Sequence, residues 1–380
     1  MLGGVLRRSS PDQVRESVWS QFDTNRARSS STWAGQSVTA DSAMQLLAVY
    51  GSVGLITDQI STLPVDVFRR TGAMSVESPK PNWLTEPTVD LGFEDWCSQL
   101  LVSLLLAGNA YVAVNRNDAG AIVELVPLDP ARVSVVREAG RKVYRVNGVN
   151  YPGEIVHIKG RMWPGSDVGL SPVEYARQSI GLGLSAMKFG GEFFDGEGNM
   201  PGVIEMPRPA QPSVLADIGR QWQRRRRSGG RGLPGVLQDG ATWKPTGVTN
   251  EQAQFLATRQ WSAAEIAGQV FFLDPSDLGI PVDGSSLTYA NLEQRNARRL
   301  QVALLPWIVR IERAVSALLF NPRFMKFNVD GFLRGDMKTR YESYAIGISN
   351  QVLDPNEARE LEDLPPLAAP VEAPDVNPVA

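Results

Sequence analysis

The sequence has one cysteine and one histidine among its 380 residues. The single cysteine, Cys97, excludes a disulfide framework within the chain and favours a reducing compartment. Cys97 and His157 are also too few to build a zinc site of the cysteine and histidine type. We therefore expect no bound metal, and no other cofactor is indicated.

Long apolar runs and an excess of basic residues are missing as well. The most apolar run, LLVSLLLA at Leu100–Ala107, is far shorter than the ~20 residues that span a bilayer. The opening MLGGVLRRSS has no signal-peptide pattern. The net charge is −3, whereas a dedicated DNA-binding domain normally carries a basic excess. These absences predict a soluble intracellular protein that contacts no membrane.

No motif for enzymatic chemistry is complete. The closest approach to a phosphate-binding loop, GVLQDGAT, has Ala241 where the lysine would stand. DGEGN at Asp195–Asn199 begins like a calcium loop, but methionines occupy the positions of its glycine and glutamate. His157 could serve Ser171 as a base, yet GLSPV lacks the second glycine of a nucleophile elbow, so we interpret His157 as a structural strand residue. We do not expect an enzyme.

The part of the chain before Gly160 has an α+β pattern. Apolar residues recur at helical spacing from Ala40 until Pro64, and Phe93–Ala107 predicts a second helix that Gly108 stops. VDVFRR alternates as a strand does, and the later segments AYVAVNR, AIVELVPL, RVSVVRE and EIVHIKG are also β-like. We expect two helices laid over a mainly antiparallel sheet.

The middle of the chain is predicted to be helical on either side of a glycine- and proline-rich patch. Ser171 and Pro172 form a helix start. The helix that follows contains four glycines: Gly181, Gly183, Gly190 and Gly191. A glycine inside a helix costs ~1 kcal/mol relative to alanine, so these positions indicate close packing against neighbouring helices. Residues 196–248 hold a short strand GVIEM, a helix and a hairpin GVLQDGATWKP, and a helix resumes at Glu251–Gly268.

The remaining segments are a loop, a long helix and a helical end. Leu273–Ser286 predicts a polar loop, and a long helix from Leu287 should be kinked by Pro306. Its core-facing stripe is Leu304, Ile308, Ile311, Val315 and Leu318. Asp354-Pro355-Asn356-Glu357 predicts a capped helix start. The proline-rich tail 365–380 is expected to be disordered.

The stretch QWQRRRRSGGRG carries the strongest local charge, at Arg224, Arg225, Arg226 and Arg227. Runs of arginine make electrostatic contacts with phosphates. Cations also complement the dipole at the C-terminal end of a helix and are mostly solvated there. The sequence leaves three interpretations open: a solvated helix end, contact with DNA phosphates, or docking of an acidic partner.

Six segments occur in an order typical of one protein family. The first three are SVGLITDQISTLPVDVFRR, LLLAGNAYVAVNRNDAGAIVELVPLDPARV and EIVHIKGRMWPGSDVGLSPVEYARQSIGLGLSAMKFGGEFF. The other three are GRGLPGVLQDGATWKPTG, YANLEQRNARRLQVALLPWIVRIERAVSALL and RYESYAIGISNQVLDPNEARELEDLPPL. From about Val38 to Leu367 the chain therefore resembles the portal proteins of tailed bacteriophages, in the branch typical of long-tailed phages.

The resemblance implies an α+β portal fold with an α/β wing, a helical stem, a small mixed clip, a tunnel loop and a helical crown. The implied segments are 1–37 mobile N-terminal arm, 38–170 wing, 171–195 stem helix, 196–248 clip, 249–271 second stem helix, 272–286 tunnel loop, 287–335 kinked long helix and wing return, 336–364 crown, and 365–380 disordered tail. Such subunits form rings, usually of twelve. Glycines in a stem helix would allow close packing between neighbouring subunits.

The resemblance also implies where functional residues would lie. The tunnel-loop candidates for the DNA channel are Asp277, Asp283, Gly284, Ser285 and Ser286. The clip candidates for partner docking are Arg224–Arg227, although an arginine run is not a family signature. The chain reads VFFLDPSDLGIP where the family often has a phenylalanine-glycine-valine-proline-proline stretch, so the ends of the loop stay open.

The function implied by the resemblance is a ring-shaped DNA conduit at one capsid vertex of the virion, assembled in the host cytoplasm. Its implied partners are other copies of the chain, the terminase large subunit that packages DNA, a head–tail adaptor protein, the major capsid protein and double-stranded DNA. Two alternatives remain: a DNA-binding regulatory protein that uses Arg224–Arg227, and a hydrolase that uses Ser171 and His157.

Overall fold

The computed structural model describes residues 31–72, 74–194, 202–205, 213, 216, 219–220, 242–245, 259–281, 289–329, 337–362 and 364–367. The chain divides into two compact units. The first consists of Met1–Ser286 with Gln301–Phe327, and the second of Leu287–Leu300 with Asn328–Ala380.

The α-helices, in chain order, are α1 (Ala40–Met44), α2 (Leu47–Ser61), α3 (Asn82–Thr85), α4 (Phe93–Ala107), α5 (Pro172–Tyr175), α6 (Arg177–Phe194), α7 (Tyr289–Arg299), α8 (Leu305–Ser316), α9 (Met337–Ser349) and α10 (Pro355–Glu360). The strands are β1 (Val65–Thr71), β2 (Met74–Glu77), β3 (Asn109–Arg116), β4 (Ile122–Leu128), β5 (Val133–Glu138), β6 (Arg141–Val146), β7 (Val149–Asn150), β8 (Glu154–Lys159), β9 (Gly202–Glu205), β10 (Thr242–Pro245) and β11 (Arg323–Phe327). Mixed helix and antiparallel sheet confirm the α+β class.

Helices α2 and α4 form the centre of the first unit. Helical spacing places Val49, Val53, Ile56 and Ile60 on one face of α2, and all four are buried. Helix α4 has its predicted bounds and is ended by Gly108, whose backbone is left-handed with φ 70. Each large aliphatic side chain buried here stabilises the fold by about 1.5–3 kcal/mol. The single helix predicted from Ala40 is instead two, because Leu46 is extended between α1 and α2.

Strand β3 is the middle strand of an antiparallel sheet in the order β4-β3-β8. Residues 109–114 of β3 are all buried. One side of β3 packs on α4, and the other lies against the sheet formed by β5, β6 and β7, where the rings of Tyr111 and Tyr144 are 6.1 Å apart. Because both faces are covered, the strand reads as a continuous apolar run rather than an alternating one.

Strands β6 and β7 were not predicted from the sequence. Each is joined to the strand before it by a tight turn. Ala139 and Gly140, with φ 48 and 75, join β5 to β6. Asn147 and Gly148, with φ 52 and 81, join β6 to β7. Positive φ at both central residues gives the hairpin turn that matches strand twist, and Asn-Gly is its strongest sequence signal. The second hairpin was therefore readable from the sequence.

The third sheet joins distant parts of the chain in the order β11-β1-β2. Strand β1 pairs with β11 from Val65 opposite Phe327 to Arg69 opposite Arg323. Glu312 of α8 fastens the helix to this sheet: its Oε1 accepts from the backbone N–H of Phe327 at 3.0 Å. No local pattern predicts this pairing, since its partners are remote in sequence.

A two-stranded sheet pairs β9 with β10. The predicted strand GVIEM is confirmed at Gly202–Glu205. Thr242–Pro245, the end of the predicted hairpin GVLQDGATWKP, pairs with it, with Trp243 opposite Ile204. The first part of that hairpin lies outside the described residues.

The helix predicted after Ser171 is two helices, because Ala176 leaves the helical conformation between α5 and α6. Ser171 caps α5 as predicted, accepting a hydrogen bond from the backbone N–H of Glu174. A β-carbon on Gly181 would lie 2.6 Å from Thr32 Cγ2, and one on Gly183 would lie 3.1 Å from Leu46 Cδ1. Both glycines therefore lie in close packing within one chain, and their role in contacts between subunits stays a prediction.

Thr32 belongs to a short turn that lies on α6. The backbone N–H of Trp33 donates to Gln178 Oε1 at 3.0 Å, and Ser185 Oγ donates to Ala34 O at 3.0 Å. Residues 31–37, the end of the predicted mobile arm, are thus held on α6. The rest of that arm lies outside the described residues.

Helix α8 follows a π-helical turn at Leu300–Leu304. Pro306 lies in the first turn of α8, where its missing N–H is tolerated. The irregularity expected at Pro306 therefore falls on the turn that precedes it. The predicted stripe is buried at Leu304, Ile308, Ile311 and Val315. Leu319 is buried beyond them, while Leu318 is only half-buried.

The described part of the second unit contains α7, α9 and α10. The predicted start of α10 is confirmed: Asp354 and Glu357 form a reciprocal capping box with Pro355 in the first turn. Arg340 of α9 pairs with Glu362 at 2.7 Å, and Tyr344 Oη donates to the same carboxylate at 2.9 Å. These bonds tie α9 to the end of α10.

Candidate functional site

Most residues of the predicted sites lie outside the described residues. This is true of all four arginines, Arg224–Arg227, and of Asp283, Gly284, Ser285 and Ser286. Asp277 is described and lies in a 3₁₀ turn, Pro275–Leu278, whose N-cap Asp274 accepts from the backbone N–H of Ser276 at 3.0 Å. Whether Asp277 faces a channel stays a prediction.

The first half of the predicted tunnel loop is folded onto α2. Leu273 is buried and donates its backbone N–H to Ala267 O at 2.9 Å. Leu278 packs on α2 at Gly51, where an added β-carbon would lie 3.3 Å from Leu278 Cδ2. Gly279 is the left-handed cap of the 3₁₀ turn, with φ 70. Mobility is therefore not expected for residues 273–281.

Ser171 and His157 each have other partners, so the structure does not assemble the pair into a nucleophile and base. Ser171 Oγ donates to Leu106 O at 2.6 Å and accepts from Glu174 N at 3.1 Å. Both ring nitrogens of His157 are engaged by residues of neighbouring strands. This confirms the interpretation of His157 as a structural strand residue.

The partners of His157 determine its tautomer. Asn109 Nδ2 donates to Ala107 O and Gly169 O, at 2.9 and 3.0 Å, so its Oδ1 is an acceptor. Oδ1 lies 2.9 Å from His157 Nε2, which must therefore donate. Nδ1 is then free to accept from Tyr144 Oη at 3.5 Å. Burial, together with the positive charges of Lys159 and Lys142, lowers the pKa of His157 to about 3, so the ring is neutral.

A charged cluster lies beside this histidine. Asp167 accepts two hydrogen bonds from Arg137, at 2.6 and 3.0 Å, and pairs with Lys142 at 3.1 Å. Burial alone would raise the pKa of Asp167, but the bonds from Arg137 and Lys142 outweigh it and the pKa is lowered. Burial and Lys142 lower the pKa of Lys159 to about 8. The cluster fixes β5 and β6 against the loop that carries Asp167.

Gly108, Gly160 and Gly169 allow three segments of the backbone to approach one another closely beside Asn109. Gly160 N donates to Gly108 O at 2.8 Å, and Gly169 N donates to Asn109 Oδ1 at 2.6 Å. A β-carbon on Gly169 would lie 2.1 Å from Gly108 O and 2.9 Å from Gly160 N. Only glycine fits at this approach, which places the end of α4, the end of β8 and the start of α5 together.

A basic groove lies between the edge strand β8 and helix α8, with a volume of about 990 Å³. Arg161, Arg310 and Arg313 line it. The guanidinium of Arg161 lies 4.5 Å from the ring centroid of Phe272, and that of Arg310 lies 5.3 Å from Trp307. Burial lowers the pKa of Arg310, and the positive charges of Arg161 and Arg313 lower it further.

Sequence reasoning missed this groove. Arg310 and Arg313 are three residues apart and so share one helix face, which is the only local signal. Arg161 belongs to a remote segment and reaches them because β8 packs on α8. Only the tertiary structure brings the three together.

The described part of the chain offers neither a metal site nor a membrane-spanning helix. No group of histidine, cysteine and carboxylate side chains there could hold a metal ion. No helix in that part of the chain is long and apolar enough to cross a bilayer.

Comparison with known proteins places the whole fold in one family. The family model described as phage portal protein matches residues 47–363. A probable portal protein of Streptomyces phage phiC31 is 35% identical, covering 94% of this chain and 83% of its own length. The portal protein of Enterobacteria phage HK97 is 27% identical over 87% of this chain and 81% of its own.

A solved structure supports the same fold. The neck of a native gene transfer agent particle, computed with C12 symmetry, contains a chain that matches with a TM-score of 0.59 and 22% identity, covering 86% of this chain and 94% of that one. The antiparallel sheets, the glycines beside Asn109 and the helix α8 described above all lie within the matched family segment. The chain belongs to the phage portal protein family.

Proposed function

We propose that this portal protein assembles into a closed ring of twelve subunits that forms the DNA conduit at one vertex of a capsid. Membership of the portal family across residues 47–363 carries the proposal. The C12 symmetry reported for the related gene transfer agent neck supports the subunit number. A ring of identical subunits closes through heterologous contacts, in which two different surfaces of the subunit meet.

The exposed apolar side chains of the first unit support an assembly. Trp33, Trp261 and Phe189 are large and solvent-exposed in the single chain. Large apolar side chains that are exposed in one subunit are stabilised when a partner removes them from water. Burial of such residues between neighbouring subunits would stabilise the ring.

The proposed division of labour follows the family resemblance. The wing is residues 38–170, the stem helices are 171–195 and 249–271, the clip is 196–248 and the crown is 336–364. The clip would dock the terminase large subunit during packaging and the head–tail adaptor afterwards, with the major capsid protein around the ring in the virion. At −3 per subunit, twelve copies would carry roughly −36, a field that repels DNA phosphates if it faces the channel.

Assembly of the purified chain tests the proposal. We expect a ring with a central hole in negative-stain images, and a mass near twelve times 41.5 kDa by sedimentation. Burial of the exposed apolar side chains named above is the physical reason. A stable monomer at micromolar concentration would contradict the proposal.

The arginine run gives a second test of the proposed docking. Changing Arg224–Arg227 to glutamine should leave ring formation intact and weaken binding of the adaptor or the packaging ATPase, most clearly at low salt, where the arginine charges are least screened. One exposed ion pair is worth only about 0–1 kcal/mol, but a ring that engages several copies multiplies the effect. Titration of the partner against mutant and wild-type rings at two salt concentrations measures it. Equal affinity of mutant and wild-type rings at both salt concentrations would show that the arginines are a solvated helix end and do not dock a partner.

A further inference from the structure

We propose that the basic groove of one subunit receives the acidic loop Glu86–Asp95 of the next subunit in the ring. The groove is defined by Arg161, Arg310 and Arg313, and the loop by the segment between α3 and the first turn of α4. The inference rests on the proposed ring and names one of the contacts that would close it.

No carboxylate of the described residues pairs with the cations of the groove. In the described residues no acidic side chain lies within ion-pair distance of Arg161, Arg310 or Arg313. Two acids are nearby: Glu154 lines the groove, and Glu265 lines a second cavity that shares Arg161 and Arg310 with it. Glu154 is held by Arg116 at 2.9 Å. Glu312, the acid on α8 itself, is turned the other way and pairs with Lys326 of β11 at 2.9 Å. Three neighbouring cations without a counter-charge repel one another, so an incoming carboxylate would relieve the repulsion.

The floor of the groove is apolar. Leu305 and Val309, one helical turn apart on α8, are 39% and 38% exposed, and Met162 beside them is 45% exposed. DNA phosphates would gain nothing from contact with these aliphatic side chains. A peptide segment that carries both carboxylates and an apolar side chain matches the whole surface.

The loop Glu86–Asp95 has this composition. Val89 is 94% exposed at its tip, and four exposed acids surround it: Glu86, Asp90, Glu94 and Asp95. Within the part of the chain that the structure covers, no lysine or arginine pairs with any of these acids. The acid–valine–acid surface therefore complements the cations and the apolar floor of the groove.

Hydrogen bonds within the single chain hold the loop in its conformation. Its backbone is fixed by bonds from Leu125 N to Pro87 O at 2.7 Å and from Glu86 N to Asn82 O at 2.8 Å. Leu91 N donates to Thr88 Oγ1 at 3.1 Å. A rigid loop loses little conformational entropy on docking, which favours binding.

One chain cannot bring the two surfaces together by itself. Helix α4 has 15 residues and so measures about 22 Å at 1.5 Å per residue. Glu94 and Asp95 are in its first turn, and Glu86 and Asp90 precede it. At its other end, Gly108 O accepts a hydrogen bond from the backbone N–H of Gly160, the neighbour of Arg161. The rigid helix holds the surfaces apart, so their contact must be between two copies and must be heterologous, as a ring requires.

Charge reversal on each side tests the contact with the full chain. We expect Arg310→Glu with Arg313→Glu to raise the protein concentration needed for half-maximal ring assembly at least tenfold. Asp90→Lys with Glu94→Lys should do the same, since both place like charges face to face. The four changes combined should restore assembly toward the wild-type concentration. Glu77→Lys with Asp118→Lys, two exposed acids on other elements, supplies the same charge change as a control and should leave assembly unchanged.

Mass photometry across a dilution series gives the assembly midpoint, and thermal unfolding of each variant shows that it is folded. Two folded charge-reversed variants that assemble at the wild-type concentration would overturn the inference while leaving the ring proposal intact. Failure of the combined variant to recover would overturn it too. If the arginine variant assembles normally but binds double-stranded DNA less well, DNA occupies the groove and the inference is wrong. If the wild-type chain forms no ring at all, the proposed function fails first.

Discussion

Gly169→Ala is expected to destabilise the first unit by about 4 kcal/mol or more, a large fraction of the roughly 5–15 kcal/mol that stabilises a typical domain. The added β-carbon would lie 2.1 Å from Gly108 O and 2.9 Å from Gly160 N. Both are backbone atoms, so no side chain can rotate away from the clash. Separating the strands would break the bonds from Gly160 N to Gly108 O and from Gly169 N to Asn109 Oδ1. It would also remove a hydrogen-bond donor from the side chain of Asn109, which orients His157.

Gly191→Ala is the matched control for this change. Gly191 lies in α6, and a β-carbon there meets nothing within 4 Å. Alanine has the better helix propensity by ~1 kcal/mol, so this variant should be as stable as the wild type or slightly more so. Soluble yield and the midpoint of urea unfolding compare the two. A Gly169→Ala protein with a wild-type midpoint would show that the three backbone segments are not tightly packed there.

The stability of the protein should fall by about 2 kcal/mol between pH 6.5 and pH 5 because of His157. Its pKa is about 3 in the folded protein against an ordinary value of 6.5. Between these values the unfolded chain binds a proton that the folded chain excludes, so stability is complete above pH 6.5 and declines as the pH falls. Protonation would place a charge beside Lys142 and Lys159 and would disturb the hydrogen bond that Nδ1 accepts from Tyr144.

The chain offers an unusually clean measurement of this effect, since His157 is its only histidine. The ring proton signals of the folded protein in an NMR titration should not shift down to pH 5. His157→Gln should flatten the pH dependence of urea unfolding over the same interval, whatever it does to absolute stability, because few other groups titrate there. An imidazole in the folded protein that titrates near pH 6.5 would contradict the prediction.

The sequence by itself determined the elements whose signals are local. Helix α4 is bounded by a glycine that must be left-handed, and α10 by a capping box, so both were placed correctly from their own residues. The apolar stripes of α2 and α8 follow from helical periodicity, and the residues of these stripes are the ones that are buried. The family could also be recognised, because its segments keep their order along the chain even where no single motif is diagnostic.

Only the tertiary structure decided what depends on contacts between distant segments. Strand β11 is a strand because β1 supplies its hydrogen-bond partners, and residues 31–37 are held because α6 offers Gln178 and Ser185 to the backbone. The glycines of α6 are an example. The sequence shows that a glycine permits another segment to approach closely, but not that Thr32 and Leu46 are the residues that do so. The basic groove has the same origin, since Arg161 stands 149 positions before Arg310 in the numbered sequence and meets it only through the packing of β8 on α8. Electrostatic fields depend on distances in space, and a sequence records distances only along the chain.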